Sequence, residues 1–139
     1  MAAVASSPYI ALGEAPVAQL PVTFGGLSIL RVLFFLGGEF TEIPAVVGRL
    51  PKLYMLSFKA NRLTKVAEGA ISPSVCWLIL SDNAIDTLPE SLCKCVGMRK
   101  LLQAPRRRAV VLYLHELGFA LAPLTFVIAH HSRQYQLVP

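Results

Sequence analysis

The side chains best suited to metal or nucleophilic chemistry in this 139-residue chain are Cys76, Cys93, Cys95, His115, His130 and His131. Their spacing supports neither. Cys93-Lys94-Cys95 has no second cysteine pair to complete a zinc site, and the histidines all lie in the last quarter of the chain. No G-x-S-x-G, H-E-x-x-H or glycine-rich phosphate loop occurs, because Gly25-Gly26 and Gly37-Gly38 lack a strand-to-helix context. Eight acidic residues are scattered along the chain. The sequence therefore predicts no enzymatic activity, no cofactor and no metal. Arg106-Arg107-Arg108 carries part of a net charge of +5, but no aromatic residues interleave it, so it reads as a solvated cluster and not as a nucleic-acid site.

What does recur is apolar. Leu30, Leu33, Phe35, Gly38, Phe40, Ile43, Pro44, Val47 and Leu50 return as Leu53, Leu56, Phe58, Asn61, Leu63 and Val66. They return again as Val75, Leu78, Leu80, Asn83, Ile85, Leu88, Pro89, Leu92 and Cys95. The offset is 22 to 23 residues, and partial copies flank the block at Leu20-Pro21, Phe24 and Leu27 and at Met98 and Leu101. One register slip occurs, between Ala70 and Val75, where Ser72-Pro73 stands in place of an apolar position.

In the motif L-x-L the two apolar side chains share one side of an extended segment, so Leu33 with Phe35, Leu56 with Phe58, and Leu78 with Leu80 face inward. The residues between them face outward. No unit buries its apolar face alone, so the strands must stack as a parallel sheet with the return segments closing the core. Cys95 takes an inward position held by Leu50 and Leu27 in other units and reads as a core thiol. An odd number of cysteines suits a reducing, cytoplasmic setting.

The unit L-x-x-L-x-L-x-x-N-x-L-x-x-L-P-x-x-L-x-x-L, with other apolar residues in the L positions, resembles that of leucine-rich repeat proteins of the short, typically intracellular type. The resemblance runs from Leu20 to about Leu102. It implies an α/β repeat fold, a solenoid of three full units with Asn61 and Asn83 as structural turn residues whose amides satisfy backbone groups of neighbouring turns. Gly38 stands where the first unit would carry its asparagine and loses that bond. It also implies that the outward strand positions form a concave, ligand-binding side. Those positions are Val32, Phe34 and Leu36, then Met55, Ser57 and Lys59, then Trp77, Ile79 and Ser81, with Lys100 and Leu102 starting a fourth row. Val32, Met55 and Trp77 would form one column, and Phe34, Ser57, Ile79 and Leu102 the next. An exposed patch centred on Trp77, with Lys59 and Lys100 near its rim, has the composition of a protein-binding hot spot. The expected binding residues are thus Val32, Phe34, Leu36, Met55, Lys59, Trp77, Ile79 and Lys100, and the expected ligand is a protein partner.

The ends read differently. Residues 1–19 are rich in Ala, Pro and Ser, contain no Lys or Arg, and are expected to be a disordered segment ahead of the repeats at 20–103. Residues 104–139 form a basic and apolar tail outside the repeat pattern. Its 21-residue run from Ala109 to Ala129 reads as a helix that covers the last repeat, as a helix that crosses a bilayer with the arginines on the cytoplasmic side, or as a misjoined sequence with no structure of its own. Against crossing stand His115, Glu116 and Pro123, since an ionised acid at mid-span costs on the order of 2 to 3 kcal/mol. The alternatives to a cytoplasmic interaction module are therefore a membrane-anchored repeat protein, or a fragment of a larger repeat protein. Some larger proteins with similar repeats carry a protein-kinase domain, yet V-A-I-K, H-R-D and D-F-G motifs do not occur in this sequence.

Overall fold

A computed structural model describes residues 6–14, 16–102, 125–129 and 135–138. The described strands are β1 (Tyr9–Gly13), β2 (Val32–Leu36), β3 (Met55–Ser57), β4 (Trp77–Ile79), β5 (Lys100–Leu102), β6 (Thr125–Ala129) and β7 (Tyr135–Val138). They form one sheet in chain order, parallel from β1 to β6, with β7 antiparallel to β6. The architecture is a leucine-rich-repeat solenoid, longer than three units at its start.

The L-x-L alternation sets the register. Ile10, Leu33, Leu56, Leu78 and Leu101 stand side by side across five strands, and from Leu33 to Leu101 this row is buried. Beside it, Phe35, Phe40 and Phe58 pack with ring centroids 5.0 to 5.1 Å apart, a spacing at which tilted and edge-on aromatic pairs attract. On the opposite side of the core, five-residue 3-10 turns at Val22–Gly26, Ala45–Arg49 and Glu90–Lys94 close the units. Each follows a proline, whose fixed φ suits entry into a helical turn.

Successive units are tied through one carbonyl each. Pro8, Arg31, Tyr54 and Cys76 each accept from two consecutive N–H groups of the next unit, at 2.8 to 3.1 Å. The chain then leaves its strand through a left-handed residue, at Glu14, Gly37, Ala60 and Asp82 in turn. Where units come closest, Gly48 has no room for a side chain, because a Cβ there would fall on the Gly69 carbonyl. The shortened connection is closed by Ser72, whose buried hydroxyl reaches the Leu50 carbonyl at 2.7 Å. A polar residue is therefore held where the other units place an apolar one.

Two expectations about the ends are corrected. Within 1–19, Tyr9–Gly13 is a strand and not disordered, because Ile10-Ala11-Leu12 repeats Leu33-Phe34-Phe35 at an offset of 23 and completes a unit with Leu20 to Leu30. In the tail, Thr125–Ala129 and Tyr135–Val138 are strands and not helix. β5 would otherwise present an open row of backbone groups, and a β-branched and aromatic segment pairs with it. The first part of the apolar run, 109–124, with His115, Glu116 and Pro123, lies outside the described residues, as do Arg106 to Arg108, His130 and His131. Among the described residues, no helix is long and apolar enough to cross a membrane.

Candidate functional site

The site is the sheet face turned away from the core. Along β2, β4 and β5, burial alternates, so that the residues between the core positions keep part of their surface in solvent. Strand pairing aligns them in two columns. Tyr9, Val32, Met55, Trp77 and Lys100 form one, and Ala11, Phe34, Ser57, Ile79 and Leu102 the other. Leu36, exposed, follows Phe34 at the end of β2, with Lys59 and Ser81 in the corresponding places of the next two units.

The sequence-predicted residues Val32, Phe34, Leu36, Met55, Lys59, Trp77, Ile79 and Lys100 are thus brought together on one face. Tyr9 belongs with them, and its ring meets Phe34 edge-on at 6.1 Å. It was missed because it lies in the segment read as disordered. The 23-residue offset from Tyr9 to Val32 was the available signal. Ser57 and Ser81 also hold outward positions but are buried, and the Ser57 hydroxyl accepts from the Lys59 N–H at 3.3 Å. In the second column this leaves a low point between Phe34 and Ile79.

Lysines at the face are already engaged. Lys100 holds its ammonium 4.8 Å from the centre of the Trp77 ring, a cation–π arrangement. Lys59 lies 3.8 Å from Asp82, an exposed ion pair that salt screens readily. The face is therefore apolar at its centre, with positive charge beside it that is only partly offset.

Behind the face, two asparagines fix the turns. Asn61 donates from Nδ2 to the carbonyls of Phe35, Phe58 and Lys59, and its Oδ1 accepts from the Phe40 N–H. Asn83 repeats the pattern one unit on, with Phe58, Leu80 and Ser81 as acceptors and the Leu63 N–H as donor. Each side chain bridges its own turn to the preceding one. At Gly38, which holds the corresponding place one unit earlier, a Cβ would come within 2.7 Å of Asn61 Oδ1 and force it to shift.

Among the described residues no group of three His, Cys, Asp or Glu side chains could hold a metal. Cys95 is buried, and burial pushes its thiol up to about 11, with Cys76 and Cys93 adding to the shift. Among the described residues, Glu68 is the carboxylate held below its ordinary range. It is held there by the Ser91 side chain and backbone first, then by the Glu90 N–H and the Lys94 charge. Its two oxygens accept from the N–H groups of Glu90 and Ser91 at 2.9 Å, capping the third 3-10 turn from the unit before.

No known protein-family profile matches the chain. A curated relative, Toll-like receptor 9 of Canis lupus familiaris, is 39% identical over 92 residues, which cover 58% of this chain and 9% of the relative. A solved leucine-rich repeat protein of Leptospira interrogans superposes with a TM-score of 0.60 at 19% identity, over 85% of this chain and 36% of that one. Both are far longer than the stretch they share with this chain.

Proposed function

The chain is a leucine-rich repeat protein, and from that premise we propose that it binds a protein partner on the concave face of its sheet. The observation that supports this is the continuous patch of Val32, Phe34, Met55, Trp77 and Ile79. Strand register aligns these side chains, which keep surface in solvent where the alternate residues are buried. Leu36, with 45% of its surface exposed, extends the patch. Apolar side chains held on a rigid sheet lose less freedom on binding than those on a loop, which lowers the ordering cost of association. Aromatic anchors at a patch centre commonly account for about 2 kcal/mol or more each when truncated, which assigns Trp77 and Phe34 the largest shares. Lys59 and Lys100 then suit acidic residues on the partner around an apolar centre, and act on association rate and salt dependence more than on affinity.

The test is capture of partners from a lysate with wild-type protein and with Trp77→Ala and Phe34→Ala. Both variants should keep the far-ultraviolet spectrum and thermal midpoint and lose the captured partners. Recovery of the same partners at the same yield would move the binding site off this face.

A further inference from the structure

The outer edge of β1 is built to pair with another strand. Pro8 accepts from the Val32 N–H and Glu14 donates to the Leu36 carbonyl, so the even-numbered residues of β1 turn their backbone groups toward β2. Alternation then points the N–H and C=O groups of Tyr9, Ala11 and Gly13 the other way. Tyr9 is served locally, since the Ser7 hydroxyl donates to its carbonyl at 2.7 Å and accepts from its N–H at 3.2 Å. Ala11 and Gly13 have no partner for these groups among the described residues. Leu12 stands between them at a core register position, opposite Phe35, yet 41% of its surface is exposed.

Natural sheet edges are usually blunted by lysine, inward charge or proline within the strand. β1 has none of these. Glu14, just past the strand, is the only charged residue in the described part of 6–30. Among the described residues, four of the six exposed large apolar side chains, Tyr9, Leu12, Val22 and Ile29, belong to the β1 unit. Charge therefore does not oppose a second copy of the same surface.

We propose that the β1 edge pairs with the β1 edge of a second copy of this chain, antiparallel about a two-fold axis at Leu12. In that register Ala11 faces the partner's Gly13 and Gly13 the partner's Ala11. Each of these pairs exchanges two hydrogen bonds, which satisfies every group left open by β2 and Ser7. Leu12 meets its own copy in the close, non-hydrogen-bonded position between them, where side chains touch most directly, and the core row continues from one protomer into the other. A two-fold contact uses one patch twice and closes, so the product is a dimer and not a filament.

The full chain should show concentration-dependent dimerisation by sedimentation equilibrium. In the same series, hydrogen exchange at the Ala11 and Gly13 amides should slow as concentration rises. Ala11→Pro removes an outward donor without touching the β1–β2 ladder, and Leu12→Lys places two like charges at the axis. Each should weaken the dimer at least about tenfold while leaving the thermal midpoint of the dilute monomer unchanged, and Trp77→Ala should leave the dimer intact. A chain that stays monomeric, a dimer unaffected by either variant, or protection at Ala11 and Gly13 that does not vary with concentration would each overturn the proposal. The last of these would show that some other segment or partner covers this edge.

Discussion

Single side chains carry the closure of each turn. Asn61 is nearly buried while Asn83 is only partly so, and the cost of orphaned turn carbonyls grows with burial. Asn61→Ala should therefore lose about 1 to 3 kcal/mol in a denaturant series, and Asn83→Ala less. Equal losses would show that burial does not grade the two bridges. Ala60 holds φ at 55°, in the left-handed region that suits glycine, and does so at the position where the first unit has Gly37. Relief of that strain outweighs the added chain entropy of glycine, so Ala60→Gly should raise stability by up to about 1 kcal/mol in the same assay. A loss on this change would mean that the Ala60 methyl contributes packing that outweighs its backbone strain.

The short 3-10 turns depend on contacts across units, because a helix of five residues has little stability of its own. Glu68 supplies such a contact to the turn at Glu90–Lys94, and its folded-state pKa lies below the ordinary carboxylate value. Its contribution is therefore fully present above that ordinary value and is lost as pH falls through the lower folded one. Thermal midpoints of wild type and Glu68→Gln should differ at neutral pH and converge in acid. A difference that persists once the carboxylate is protonated would assign the effect to shape and not to charge.

Stability in a solenoid is a sum over neighbours, so the centre of the stack holds more than its ends. Phe35, Phe40 and Phe58 lie at that centre, and β1 has a strand on one side only. Amide exchange should therefore be slowest at Leu33, Leu56 and Leu78. In dilute solution, where the β1 edge is unpaired, it should be fastest in Tyr9–Gly13. Uniform protection across the stack would indicate a single cooperative unit in place of additive repeats.

Period and alternation are properties of the chain itself, and they determined the repeat, the inward rows and both outward columns. Spacings of 2 and 22 to 23 residues admit one register once a single face must be buried. The same arithmetic extends to Ile10 and Leu12, a match masked by the surrounding Ala, Pro and Ser. Four features belong to the tertiary structure, because each depends on groups brought near from distant positions. The burial of Ser57 depends on its neighbours in other strands, and the polar closure at Ser72 on the Leu50 carbonyl of the unit before. The Lys100 ammonium lies over Trp77 only because β4 and β5 pair in register. β6 joins β5 at an offset of 25 residues, outside the period, so no repeat pattern could have announced it.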